Sequence, residues 1–394
     1  MSDSVTIPLR NSAVDAYRGL VMLLMMGEVL SFGEVSRALP GSGVWSFLAT
    51  QQSHVEWTGM HLHDTIQPGF TFLAGVALPY SIAARKRKHE SFRHMLLHTM
   101  WRSLVLIGLG FFLRSLYSPM TNFTFEDTLT QIGLGYTVAF LLAFAKPRWQ
   151  YVALGGILFA YWLAWALYPA AGPGFDWAAV GVPEDWKGHL FTGFAAHWNK
   201  NANLGQAFDV WFLNLLPRPS RFLYNEGGYL TLSFIPTLGT MLLGLVAGQW
   251  SRDSDERPIR RFVAAAVVLI AVGGLLHVTG ICPIVKRIWT PSWTLFSGGV
   301  CFLFLAGFNW WMRSPLRGRL AFPLVVVGMN SIAAYLMAHL TIDFIRSSLR
   351  IHLGMGVLNA FGTAVEPFTI GALTLLTEWG VLYWMYRRKV FLRV

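Results

Sequence analysis

The distribution of apolar residues along the 394-residue chain constrains its fold more than any other sequence feature. Apolar runs of about 20 residues, the length that crosses a bilayer as a helix, recur from one end to the other. These runs are predicted at 13–32, 65–84, 98–117, 129–146, 149–171, 230–250, 261–280, 291–312, 320–340 and 365–386. Only 13% of the residues are charged, against about 25% in soluble domains. The sequence therefore predicts an all-α, polytopic integral membrane protein with about ten transmembrane helices in one domain, 1–394.

Basic residues in the short loops predict the orientation of the chain. One side holds most of them: Arg85, Lys86, Arg87, Lys88, Lys146, Arg148, Arg257, Arg260, Arg261, Arg313, Arg317, Arg319, Arg387, Arg388 and Lys389. Because basic loops remain on the cytoplasmic side, both termini are predicted to be cytoplasmic. The net charge of +11 is then a topological signal and not a nucleic-acid footprint. The polar segment 1–11 does not resemble a signal peptide, so the first run is expected to be retained as a membrane helix.

The longest departure from apolar sequence is the segment 172–229, which is predicted to be a long extracytoplasmic loop. It carries Trp177, Trp186, Trp198 and Trp211 among glycines and prolines. A loop of this size is typical of a lid that folds over the membrane surface. Tryptophans of an interfacial belt would give the same composition, and the two interpretations are compatible.

A titratable cluster lies in the loop between the first two apolar runs. Three histidines and two carboxylates fall within eleven residues: His54, Glu56, His61, His63 and Asp64. A neutral imidazole can take a proton from an amine or hydroxyl near neutral pH, so His54 is interpreted as a general base. The alternatives are an interfacial histidine bound to a loop carbonyl, or a metal site for which His61 and His63 have a plausible ligand spacing.

Four sequence blocks, in order along the chain, together resemble one known family. They are 12–19 (SAVDAYRG), 54–59 (HVEWTG) followed by Asp64, Pro68, Phe70, Phe72 and Gly75, 101–103 (WRS), and 328–335 (GMNSIAAY) followed by His339. The family is that of the membrane-embedded heparan-alpha-glucosaminide N-acetyltransferases and their bacterial relatives. The chain resembles the short bacterial form without the lumenal domain, which implies a bacterial inner (cytoplasmic) membrane location.

The resemblance implies a transmembrane acyltransferase domain that moves an acetyl group from cytoplasmic acetyl-CoA to an extracytoplasmic amino sugar of the glucosamine type. The catalytic histidine of the family corresponds to His54. Asp64 is expected to orient His54, or to cap the following helix, or to do both. Glu28 stands where the family has asparagine, and it is interpreted as a group that binds the cationic amine, or else as an interfacial glutamate. The family accounts for the cluster without a metal, so no metal is expected.

Two arginines near the predicted cytoplasmic ends of their helices are the expected ligands of the CoA phosphates. Arg18 and Arg102 have side chains suited to binding phosphate oxygens through two donors at once. The alternative for both is that they contribute only to the positive cytoplasmic face.

Polar residues recur at spacings near three and four in the predicted span 320–340. They are Asn330, Ser331, Tyr335 and His339, and they are expected to lie on one helical face toward the bundle interior. They would line the pantetheine path or donate to the thioester oxygen. The alternative is interhelical hydrogen bonding that serves packing alone.

Two other functions remain open on the sequence. An amino-sugar transporter would also use intramembrane polar groups, and an O-acetyltransferase of an envelope polysaccharide would use the same donor and base. The expected partners are acetyl-CoA, an amino sugar or glycan acceptor and the lipid bilayer, with no nucleic acid. The apolar bundle is compatible with either a monomer or a homodimer.

Overall fold

A computed structural model describes residues 11–252 and 258–392. The predictions for the N-terminal segment before Asn11 and for Arg257 lie outside the described residues. The α-helices run in chain order as α1 Ser12–Met26, α2 Phe32–Ala38, α3 Gly43–Gln52, α4 Ile66–Arg87, α5 Phe92–Ser115, α6 Thr128–Leu142, α7 Pro147–Leu167, α8 Leu204–Leu213, α9 Phe234–Arg252, α10 Pro258–Val278, α11 Pro291–Met312, α12 Pro315–Leu320, α13 Phe322–Met329, α14 Ser331–Leu340, α15 Ile342–Leu358 and α16 Glu366–Arg387. Short 3-10 helices lie between the α-helices at Gly27–Leu30, Leu62–Thr65, Ala178–Val180, Glu184–His189, Gly193–Trp198, Thr231–Ser233 and Thr363–Val365.

The prediction of an all-α polytopic membrane protein is confirmed. Each of the ten predicted runs coincides with a helix or with the bent pair α13–α14. Within the described ranges, six helices are long and apolar enough to cross a membrane, and the bent pair adds a seventh. The other predicted spans coincide with α4, α6 and α16. The segment 341–364, between the last two predicted runs, is largely helical, because it contains α15, which kinks at Gly354.

The chain forms two compact units. The terminal unit contains the described residues up to Gln52 together with those from Leu303 onward, and the central unit is Ser53–Phe302. In the central unit, α4 and α9 pack through two glycines. A methyl group on Gly75 would overlap the Met241 carbonyl, and one on Gly244 would overlap the Phe72 carbonyl. Small residues let helix backbones approach closely where no side chain separates them.

The terminal unit uses the same kind of helix contact. A methyl group on Gly19 of α1 would overlap the Leu324 carbonyl of α13, and one on Gly328 would overlap the Asp15 carbonyl. The start of α1 is fixed by Asn11, whose side-chain oxygen accepts the Ala13 N–H at 3.1 Å. An asparagine in this position satisfies a backbone donor that the helix leaves unpaired.

The segment 172–229 is folded, and it packs within the central unit. It contains α8 and three 3-10 turns, and its side chains Trp186 and Trp198 are buried. Both belong to a hydrophobic cluster with Trp165 of α7 and with Trp57, which lies three residues after His54. The segment therefore contributes a core over the loop that carries the titratable cluster.

Candidate functional site: a buried His–Asp–Lys centre

His54 and Asp64 lie side by side in the loop that precedes α4. His54 Nδ1 is 2.7 Å from Asp64 Oδ1. Asp64 is completely buried, whereas the His54 side chain keeps 36% of its surface exposed. The imidazole is thus held at Nδ1 by a buried carboxylate, while part of the ring remains accessible to solvent.

Asp64 also closes the loop that carries both residues. Its Oδ2 accepts the N–H of His61 at 2.9 Å and the N–H of Val55 at 3.3 Å. Asp64 lies inside the turn Leu62–Thr65, which continues directly into α4. Asp64 is not the N-cap residue of α4, which is Thr65; it supports the preceding turn through the His61 N–H. Its role in orienting His54 remains a prediction.

Lys286 is a member of the centre that the sequence analysis missed. Its Nζ is 3.1 Å from Asp64 Oδ1 and 3.0 Å from His54 Nδ1, and its side chain is 4% exposed. The loop before α11 reaches this position through a β-bridge between Thr58 and Val285. The Gly59 N–H also donates to the Ile284 carbonyl at 3.3 Å.

The donors and acceptors at the centre fix the tautomer of His54. A lysine ammonium can only donate, and an ionised carboxylate can only accept. Nδ1 lies 2.7 Å from a carboxylate oxygen and 3.0 Å from the Lys286 ammonium. The shorter contact assigns the proton to Nδ1, which then donates to Asp64 Oδ1. Lys286 donates to the same oxygen. The Nε2 lone pair of His54 is then left to accept a proton.

The protonation states follow from burial and from the three neighbouring charges. Burial lowers the pKa of His54, and although Asp64 opposes this shift, the Lys286 charge adds to it. Burial alone would raise the pKa of Asp64, but the His54 hydrogen bond and the Lys286 charge outweigh it and hold this pKa well below its usual range. At neutral pH the centre therefore consists of a neutral imidazole, a carboxylate and an ammonium.

The two other histidines of the loop support its shape. The ring of His63 lies 4.7 Å from that of His54, centre to centre. His61 Nδ1 is 3.1 Å from the Ser53 carbonyl oxygen. No group of three or more His, Cys, Asp or Glu side chains is placed to hold a metal ion in the described part of the chain.

The segment 172–229 is attached directly to the loop of His54. Trp57 Nε1 donates to the Trp198 carbonyl at 3.1 Å, and the Trp57 and Trp186 rings meet edge to face at 5.5 Å. Gly228 has a φ of 74°, and a Cβ there would lie 2.9 Å from the Trp57 ring. Arg287 adds a further link, since it donates to the Gly227 carbonyl at 2.8 Å and to the Val55 carbonyl at 3.2 Å.

The residues predicted for the donor and the amine are distributed over both units. Arg102 in the central unit donates to the Tyr136 hydroxyl at 3.0 Å, and its guanidinium lies 4.7 Å from the centre of the same ring. In the terminal unit, Arg18 pairs with Asp15 at 3.2 Å, and Glu28 is exposed in the turn after α1. Their predicted roles in binding phosphate and amine remain predictions.

The expectation of one continuous helical face over 320–340 is wrong. α13 and α14 meet at an 81° bend. Asn330 lies at the bend, where its side chain donates to the Val390 carbonyl at 2.9 Å and accepts the Leu392 N–H at 3.1 Å. Ser331, Tyr335 and His339 share α14, and the Tyr335 and His339 rings stack at 4.6 Å. A role for these four residues in the donor path remains a prediction.

The chain is similar to two curated membrane-enzyme sequences. No protein-family model matches the chain. The heparan-alpha-glucosaminide N-acetyltransferase of Mus musculus is 23% identical over 368 residues, or 83% of this chain and 53% of the mouse protein. The protein of the same name from Homo sapiens is 24% identical over 374 residues, or 84% of this chain and 52% of the human protein. The chain spans about half the length of the curated relatives it matches.

The helices and the centre define a polytopic membrane protein with a histidine held by a buried ion pair. More particularly, over most of its length the chain is similar to the heparan-alpha-glucosaminide N-acetyltransferases.

Proposed function

We propose that the chain is a transmembrane acetyltransferase that moves the acetyl group of cytoplasmic acetyl-CoA to an extracytoplasmic amino sugar of the glucosamine type. One observation carries this proposal. His54 has an exposed imidazole whose Nδ1 is held by a completely buried carboxylate, so that Nε2 can act as a base. The names of the two relatives, which specify N-acetyl transfer to a glucosaminide, support the reaction class.

The centre suits the proton transfer that this reaction requires. The amine nitrogen forms a bond to the thioester carbonyl carbon, and the carbon–sulfur bond breaks as CoA leaves as its thiolate. A cationic amine first releases one proton to solvent, and the neutral amine then loses a second proton to His54 Nε2 as the bond to carbon forms. Asp64 stabilises the imidazolium that forms, because its Oδ1 accepts from Nδ1 throughout. Direct transfer needs only this base, and it involves no acetyl-histidine intermediate.

The remaining parts of the proposal concern the two substrates. Arg18 and Arg102 bind the phosphates of acetyl-CoA, and Glu28 binds the cationic amine of the acceptor. The pantetheine arm follows the polar residues Asn330, Ser331, Tyr335 and His339. The protein resides in the cytoplasmic membrane of a bacterium, with His54 on the outer side, as a monomer or a homodimer.

The test is acetyl transfer by the purified protein in proteoliposomes with labelled acetyl-CoA and glucosamine. His54→Ala should lower the rate by about 10²- to 10⁴-fold, the usual effect of losing a general base. The matched control is His94→Ala, because the side chain of His94 is 68% exposed at the start of α5. Equal rates for wild type and His54→Ala would contradict the role of this residue.

Two other outcomes would indicate a different function. Labelled product on a polysaccharide hydroxyl, with none on any amino sugar, would indicate O-acetyl transfer. Uptake of unmodified sugar without release of CoA would indicate transport.

A further inference from the structure

We infer that Lys286 is a positioning residue for His54. Its ammonium keeps Asp64 ionised and aligned, so that Nδ1 of His54 carries the proton and Nε2 remains available as the base. This inference rests on the proposed function, because the base needs a reaction in which to act.

The burial of Lys286 is the first argument. Its side chain is 4% exposed, and the Asp64 side chain with which it pairs is 0% exposed. Lysine is almost never fully buried unless it is paired, and removing its charge from water costs several kcal/mol. A lysine that served only topology would extend to solvent, as the long side chain permits.

The rigidity of its loop is the second argument. The Trp289 N–H donates to the Lys286 carbonyl at 2.9 Å, and the Thr290 N–H donates to the Val285 carbonyl at 3.1 Å. Val285 and Trp289 are buried, which holds the turn against the core. The bridge from Val285 to Thr58 then sets the register between the lysine and the loop of His54.

The charges around His54 are the third argument. Lys286 and Asp64 together form a neutral pair, and a proton added to His54 would place a second positive charge 3.0 Å from the ammonium. Without Lys286, the buried carboxylate would favour the imidazolium, which has no lone pair to offer. His63 lies beside the ring of His54, and the guanidinium of Arg287 binds the neighbouring Val55 carbonyl. The contact with His63 also disfavours a protonated His54.

The same geometry distinguishes Lys286 from a group that touches the substrate. Its Nζ faces Nδ1 and Oδ1, the atoms on the protein side of the imidazole. It therefore acts through Asp64 and His54, and its loss should alter the pH dependence of the reaction and leave the KM for acetyl-CoA unchanged.

The test compares Lys286→Met with Lys286→Arg, which keeps the charge, in two assays over pH 5 to 9. The first assay is kcat for acetyl transfer. The second is the rate of diethyl pyrocarbonate modification at His54, followed by peptide mass spectrometry, which requires no turnover. The Met variant should move the midpoint of both profiles to higher pH, with a kcat loss on the order of tenfold or more at pH 6 that shrinks toward pH 9. The Arg variant should keep the wild-type midpoint.

An unshifted midpoint in the folded Met variant would overturn the inference, and so would an equal loss of kcat at every pH. If the Met variant does not fold, Lys286→Gln takes its place, and a midpoint shift in the Arg variant would then refute the charge argument. The modification assay separates this inference from the proposed function. If the modification midpoint of His54 shifts but the protein acetylates no amino sugar, the inference about Lys286 stands and the proposed acetyltransferase function is wrong.

Discussion

Asp64→Asn should remove most of the activity while changing a single atom of the side chain. This carboxylate accepts from four donors: His54 Nδ1 at 2.7 Å, Lys286 Nζ at 3.1 Å, and the N–H groups of His61 at 2.9 Å and Val55 at 3.3 Å. An asparagine side chain has one oxygen and one NH₂ group. In either orientation, the NH₂ group faces donors that a carboxylate oxygen had satisfied.

The favoured orientation keeps the oxygen on the two backbone N–H groups and turns the NH₂ toward His54. Nδ1 must then become an acceptor, so the proton moves to Nε2 and the base loses its lone pair. A rate loss of about 10²- to 10⁴-fold follows, the range expected when a general base is disabled. Lys286 is left buried opposite an amide, and breaking a buried ion pair in this way costs about 3–5 kcal/mol.

The assays are the acetyl-transfer rate and the thermal unfolding of the solubilised protein. Asp185→Asn is the matched control, because Asp185 is exposed in the segment 172–229. An Asp64→Asn protein that retained more than a tenth of the wild-type rate would refute the tautomer argument. Unchanged thermal stability would refute the claim that the Lys286–Asp64 pair is buried and structural.

Three further outcomes are expected. Gly75→Ala should destabilise the protein severely, because the methyl overlaps the Met241 carbonyl, whereas Gly108→Ala, which meets nothing within 4 Å, should change thermal stability by at most about 1 kcal/mol. Asp209→Asn should stabilise the protein more at pH 8 than at pH 5. Burial raises the pKa of this carboxyl from 3.8 to about 7, so the wild-type fold loses stability as pH rises through that interval. Parallel curves of unfolding free energy against pH for the two proteins would contradict this reasoning. Acetyl transfer should persist below pH 6.5, since burial lowers the pKa of His54 below that ordinary value; a pH–rate profile that falls already above 6.5 would count against it.

The positions of the membrane helices could be predicted because hydropathy is a local property. The bend at Asn330 could not, since the run 320–340 is apolar on both sides of it. At the bend, Asn330 binds Val390 and Leu392 of the C-terminal segment. That contact joins residues 60 and 62 positions apart, and no periodicity in the run records it.

The same distinction holds for the centre. His54 and Asp64 could be paired from the sequence because they lie ten positions apart in one loop. Lys286 could not, since it is 222 positions from Asp64. The one signal available was a lysine within the short segment 281–290, between two predicted membrane runs and outside the basic loops that predict the orientation.

The bridge between Thr58 and Val285 joins two segments that are synthesised at different times. Lys286 follows His54 by 232 positions, which corresponds to a delay of roughly ten to fifty seconds at about 5–20 residues per second. During that interval the nascent chain contains His54 and Asp64 but not yet Lys286, the ammonium that pairs with Asp64. The contacts among His54, Asp64 and Lys286 can therefore form only after nearly three-quarters of the chain has been translated.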